Sequence, residues 1–237
     1  MSIEAIPQDR AAFRTFALKR RLPQVFGMLL IYGACLLLPG GLDFTEGWVA
    51  LGLYFAAMLT GGLFVAWRNP EVVLERSRMG KNTRGWDKVW AVAYGVTSLG
   101  VFVVAGLDHR FGWSALPWWA KAIGAVGLLV SMALTFWAMD SNRFLATTVR
   151  IQDERGHQVA TGGPYAFVRH PMYAGMLVSL ATSPALLDST VAWIPAGVSM
   201  VLVVIRTALE DAMLRQELAG YADYAQRTRF RLLPGVW

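Results

Sequence analysis

Residues 47–67 read GWVALGLYFAAMLTGGLFVAW, a run from Gly47 to Trp67 without one charged side chain. At 1.5 Å per helical residue, about 20 such residues cross the ~30 Å hydrocarbon layer of a bilayer. A helix apolar all round belongs in lipid or in a large core. Residues 23–41, 89–107 and 117–139 repeat the pattern. Residues 172–187 and 191–205 are shorter, in the range where a crossing competes with a re-entrant segment. They read as a tight helical hairpin turning at Leu187-Asp188-Ser189-Thr190 and bent by Pro184 and Pro195. With 55% hydrophobic and 16% charged residues in a 237-residue chain, the bilayer is the expected solvent. The expected fold is all-α and polytopic, with about six membrane-embedded helices in one membrane domain. Residues 1–139 form its four-helix part and residues 140–237 hold the polar motifs.

The net charge of +6 raises the question of nucleic acid, and the placement of the cations answers it. All but Arg110 and Lys121 of the 22 lysines and arginines fall in residues 1–22, 68–88, 140–171 and 206–237. Those segments alternate with the apolar runs, as the positive-inside rule demands, so both termini are expected in the cytoplasm and no nucleic-acid partner is needed. Residues 9–22 read as an interfacial helix with Phe13, Phe16 and Ala17 on one face. Asn69-Pro70-Glu71 starts a short surface helix that Gly80 ends, before a polar turn at 81–85. Trp113, Trp118 and Trp119 suit an aromatic belt on the other side. Cys35 lies inside the first run, where packing is its ordinary role. That run starts too late and is too long for a cleaved signal peptide.

The chemistry is expected in the polar part. Residues 163–175, GPYAFVRHPMYAG, form an aromatic and basic island between apolar runs. Pro171 suits the first turn of a helix, so Arg169 and His170 precede a helix N-terminus whose free N–H groups favour an anion. Glu210 and Asp211 lie about a turn beyond the last apolar run, on the same side of the membrane. A basic wall with two carboxylates opposite suits a zwitterion bearing a sugar, and S-adenosylmethionine fits that description. Tyr165 and Tyr173 offer aromatic faces for its sulfonium. Plainer roles stand beside these. Arg169 alone is an interfacial anchor, the acidic pair a solvated helix end, and Tyr221 and Tyr224 packing groups. His109 and His157 read as surface residues, since no H-x-x-x-H spacing marks a metal site.

These residues resemble the integral-membrane methyltransferases related to isoprenylcysteine carboxyl methyltransferase and phospholipid N-methyltransferases. The likeness rests on Gly163-Pro164-Tyr165, on Arg169-His170-Pro171-Met172-Tyr173-Ala174-Gly175, on Glu210-Asp211, and on Tyr221-x-x-Tyr224 with Arg227. It covers roughly residues 140–237. It implies a cytoplasmic pocket for S-adenosylmethionine built from Gln158, Val159, Ala160, Gly163, Tyr165, His170, Tyr173, Glu210 and Asp211, to which the basic wall adds Arg169. It also implies a lipid-accessible opening for a lipophilic or small methyl acceptor, with Arg227 near that acceptor. The family's usual Glu-Glu is here Glu210-Asp211, one methylene shorter. Methyl transfer from a sulfonium needs alignment and exclusion of water more than acid–base groups, so the lack of a Ser-His-Asp or metal constellation is no objection. Two other readings are an NADPH-dependent membrane reductase of sterol-reductase type, whose R-H-x-N-Y-x-G motif has Asn where Met172 stands, and a transporter. The second is disfavoured by the near absence of ionisable residues in the crossings.

Overall fold

The computed structural model describes residues 10–76 and 83–237, and every regular element among them is helical. In chain order these are α1 (Arg10–Gly40), α2 (Thr45–Arg68), α3 (Pro70–Arg76), α4 (Gly85–Phe111), α5 (Trp118–Ser141), α6 (Pro171–Leu186), α7 (Trp193–Glu217) and α8 (Tyr221–Arg227). The protein is an all-α membrane protein. The Leu22–Gly40 part of α1, and α2, α4 and α5, are long and apolar enough to cross a bilayer. Their outer faces leave side chains such as Leu30, Val89 and Trp118 more than 70% exposed, which only a lipid solvent makes favourable.

The first crossing differs from expectation. Instead of a surface helix followed by a span from Pro23, α1 runs unbroken from Arg10 through Pro23 to Gly40. Proline is tolerated where neighbouring groups take over the freed backbone carbonyl. The apolar face expected on Phe13 and Ala17 lies outside the described side chains, and Gly80 with the turn at 81–82 lies outside the described residues.

α6 and α7 form the expected hairpin. Its turn is anchored at the end of the bundle away from the basic segments. Asp188 adopts φ 54°, accepts from the Leu116 N–H at 2.6 Å and pairs with Lys121 at 3.3 Å. Lys121 also meets Glu46 at 2.8 Å. The Asp108 carboxylate accepts from Ser114 at 2.7 Å and from Ser189. Pro195 falls in the first turn of α7, where no intrahelical bond is lost, so of the two prolines only Pro184 removes a bond from a helix interior.

α6 lies against α5, and glycine sets how closely. A Cβ on Gly124 would sit 2.3 Å from the Leu186 nitrogen, so only glycine allows the α6 end to approach there. Toward its other end, Gly175 of α6 lies against Ser131 and Thr135, and Gly163 in the turn before α6 reaches Ser141 at the end of α5. α7 is tied to α4 by Trp90 Nε1 donating to Leu202 O at 2.7 Å and Ser199 Oγ to Thr97 at 2.8 Å. α2 meets α5 through Arg68 Nε on Asp140 at 2.9 Å.

Candidate active site

The island at 163–175 becomes a 3-10 turn (Gly163–Ala166), a short extended link and the start of α6. Pro171 opens α6, and His170 precedes it without capping it by its side chain, so the imidazole turns elsewhere. Its ring lies parallel to that of Tyr173 at 5.7 Å. The backbone of the island is strapped by the C-terminal segment. Arg169 N–H donates to Phe230 O at 3.0 Å and His170 N–H to Arg231 O at 2.9 Å.

Asp211, fully buried on α7, is the hub beneath this link. Its carboxylate accepts from Arg169 Nε at 2.7 Å, Tyr221 Oη at 2.9 Å, Arg231 Nε at 3.0 Å and Arg215 Nε at 3.1 Å, and it lies 3.4 Å from His170 Nε2. Burial by itself raises the carboxyl pKa. Hydrogen bonds from His170 and Arg169, with their charges, outweigh it and hold Asp211 far below the usual carboxylate range. Arg169 spends its remaining donors on the carbonyls of Thr228 and Arg229, at 2.9 and 2.7 Å. The expected cradle therefore closes on itself at this point: Arg169 and Asp211 are given to each other, and Asp211 is not among the groups that line the adjoining cleft.

That cleft encloses about 770 Å³ including its open mouth. Gln158, Val159, Ala160, Tyr165, Arg169, His170, Tyr173 and Glu210 all border it. Glu210 accepts a short hydrogen bond from Tyr173 Oη. Tyr165 is buried, receives Asn142 Nδ2 at 3.3 Å, and is kept protonated by that burial. Tyr224 donates to Tyr165 O at 2.7 Å, and its own pKa is pushed up to about 12, chiefly by burial. Tyr221 and Tyr224 thus both border the cleft and fix its wall.

Two expected site residues stand apart. Gly163, at φ 59°, faces α5, where a Cβ would meet Ser141 Oγ at 2.2 Å; it makes the turn and does not border the cleft. Arg227 is exposed at the end of α8 and does not line the cleft.

Other residues enter that the sequence left aside. Arg206 sits on the cleft floor only 7% exposed, over the Trp90 ring at 4.0 Å and the Tyr173 ring at 5.6 Å. Its Nη2 donates to Thr147 O at 2.9 Å and lies 3.0 Å from Asp87 Oδ1, an ion pair too bent to be a hydrogen bond. Its buried Nε has no hydrogen-bond partner among the described residues. The only sequence signal was an arginine one turn before Glu210. His157 is half-buried, not a surface residue. It borders the cleft, packs on Phe144 at 4.8 Å, and its Nδ1 faces the Gln152 N–H at 3.4 Å. His109 likewise stacks on the buried Phe44 at 4.2 Å.

A second chamber opens inside the bundle between α1, α2, α4, α5 and α6. It spans about 1260 Å³ including its open side and is lined mostly by apolar and aromatic side chains such as Tyr32, Tyr54, Phe102, Met132 and Met176. Met172, in the first turn of α6, borders both chambers. The arrangement sets a polar cleft end to end with an apolar chamber, across one flexible thioether side chain.

Part of the chain is similar in sequence to known proteins. Residues 122–216 match the model of the isoprenylcysteine carboxyl methyltransferase family. Protein-S-isoprenylcysteine O-methyltransferase B of Arabidopsis thaliana is 29% identical over 113 residues, which are 46% of this chain and 57% of that protein. The chain thus matches little more than half the length of that relative. The solved structure of the eukaryotic intramembrane Ras methyltransferase, isoprenylcysteine carboxyl methyltransferase, aligns with a TM-score of 0.47 and 18% identity, over 92% of this chain and 72% of that one.

Proposed function

We propose that the chain, which matches the isoprenylcysteine carboxyl methyltransferase family through residues 122–216, methylates a lipophilic acceptor with S-adenosylmethionine. The observation that supports this most directly is Met172, shared by a polar cleft and an apolar chamber. A water-soluble donor and a membrane-dissolved acceptor meet only where such chambers adjoin.

The residues of the cleft suit the donor. The buried, unpartnered Arg206 Nε calls for an anionic group, and the first-turn N–H groups of Met172 and Tyr173 on α6 favour the same charge. These would hold the methionine carboxylate. Glu210 would take the ammonium or a ribose hydroxyl, and the faces of Tyr165 and Tyr173 the sulfonium. Basicity for the carboxylate comes from Arg206 in place of Arg169, which Asp211 occupies. The cofactor supplies a methyl group already activated by a positively charged sulfur. The chain's part is to align the acceptor with it, to keep water away, and to hold Tyr165 and Tyr173 neutral beside it. No proton need move for a carboxylate acceptor. The family's name points to an isoprenylated cysteine as the acceptor class, and the apolar chamber suits such a chain.

The test is twofold. Purified protein in detergent should bind S-adenosylmethionine and not NADPH by calorimetry, and should pass labelled methyl to an N-acyl-S-farnesylcysteine. Binding of NADPH with no binding of S-adenosylmethionine would replace this reading with the reductase.

A further inference from the structure

The wall between the two chambers is held by two arginines on consecutive carbonyls. Arg206 donates to Thr147 O from the cleft side at 2.9 Å. Arg76, the last residue of α3, donates through Nη1 to Ala146 O at 3.3 Å, and its own carbonyl accepts from Thr147 Oγ1 at 3.0 Å. Arg206 lines the cleft and Arg76 lines the apolar chamber. The same Arg76 Nη1 lies 3.5 Å from the sulfur of Met172, the side chain common to both chambers.

A thioether is a weak acceptor, and a carboxylate in its place would form a charge-assisted and forked bond with a guanidinium. Methionine has three rotatable bonds and can turn aside at little cost. Arg76 and Met172 both line the apolar chamber, and Met172 also lines the cleft, so a group that displaces the Met172 sulfur from Arg76 stands at the border of the two. We propose that Arg76 is a specificity-determining residue that selects acceptors with an acidic head, receiving the carboxylate where the apolar chamber opens toward the cleft. This rests on the lipophilic-acceptor reading above. It makes the chain discriminate by head charge, with the apolar chamber contributing affinity for the tail irrespective of that charge.

The experiment uses the full chain in detergent, with S-farnesylthioacetic acid and its primary amide as probes, two ligands with the same tail that differ in head charge. Affinities are read by quenching of tryptophan fluorescence and by competition against methyl transfer. The wild type should bind the acid at least tenfold more tightly than the amide. Arg76→Gln should abolish that preference by weakening the acid alone, and Arg76→Lys should restore part of it, since an ammonium keeps the charge but not the fork. Affinity for S-adenosylmethionine, measured on the same samples, should stay within twofold and reports that the cleft is intact. Equal binding of acid and amide by the wild type, or an acid preference that survives in Arg76→Gln, overturns the role of Arg76 and leaves the lipophilic-acceptor reading in place. Failure of both probes to bind the wild type overturns both.

Discussion

Arg169 and Asp211 meet as a two-pronged pair, Nε on Oδ1 at 2.7 Å and Nη2 on Oδ2 at 3.1 Å, with both side chains about 1% exposed. The pair fastens the link before α6 to α7, and through Arg231 it also fastens the C-terminal strap. Asp211 does not line the cleft and Arg169 spends its donors on Asp211 and two carbonyls, so we propose that the pair acts as the keystone of the site.

Asp211→Asn should therefore unfold the site before it alters chemistry. Removing one charge from a buried pair costs about 3–5 kcal/mol, because the partners stay buried and uncompensated. Thermal unfolding in detergent should show a clear loss of stability, and Asp211→Glu should fall between. The pH dependence has a fixed sign. The folded pKa lies below the unfolded value of ~3.9, so the contribution is complete above about pH 4 and is lost as pH falls through the folded value. An Asn variant as stable as wild type would remove the keystone role.

Glu210→Gln should behave in the opposite way. Glu210 borders the cleft and accepts from Tyr173, so its loss should leave unfolding nearly unchanged while weakening S-adenosylmethionine. A charge-assisted bond is worth roughly 1.5–3 kcal/mol, about a tenfold to hundredfold change in dissociation constant. Tyr173→Phe should show a smaller shift in the same direction. Calorimetric affinities equal to wild type in both variants would place the cofactor's polar end elsewhere.

His157 gives the loop a pH dependence near neutrality. Burial first, and then the charge of Arg155, lowers its pKa, while Asp153 and Glu154 pull weakly the other way. The unfolded chain, with a pKa of ~6.5, then binds the proton more readily than the folded one. Stability is full above about pH 6.5 and declines as pH falls below it, when Nδ1 can no longer face the Gln152 N–H as an acceptor. Unfolding temperature should fall between pH 7.5 and 5.5 in the wild type and change less in His157→Gln. An identical slope in both would assign the dependence to other groups.

Topology is open to direct measurement. The alternation of basic residues leads us to propose that reporters at Gly80, His157 and the C-terminus lie in the cytoplasm, and that those at Asp43, Gly112 and Ser189 lie outside. In the structure Ser189 bonds to Asp108 at the far end of the bundle, while His157 borders the cleft. A cytoplasmic Ser189 reporter together with an external His157 reporter would invert the orientation.

The helices were legible in the sequence because each long apolar run has one use, and Pro171 with Leu187-Asp188-Ser189-Thr190 marked the ends of α6. The cleft was legible to the extent that chemistry sits in one motif: His170, Tyr173 and Glu210 stand together as their spacing along two helices implied. What was hidden is who pairs with whom. Charge type does not say that Asp211 is occupied by Arg169, or that Asp87 reaches Arg206 from α4. Those pairings depend on how α7 is rotated against α4 and α6, and on a loop whose course no periodicity records. The same holds for Arg227, which α8 leaves in solvent while the next residues, 228–231, fold back onto the link.

Met172 lines both the polar cleft and the apolar chamber, so in the proposed reaction the donor would come from the watery side of that residue and the acceptor from the oily side. Neither reactant has to be dragged through the other's medium, so the solvation of each is surrendered only at the atoms that react. If the acceptor is a carboxylate, as proposed, the methyl cap would end its claim on water at the moment of reaction. The product would then be sorted toward the oil by its own chemistry, giving turnover a direction without any moving gate.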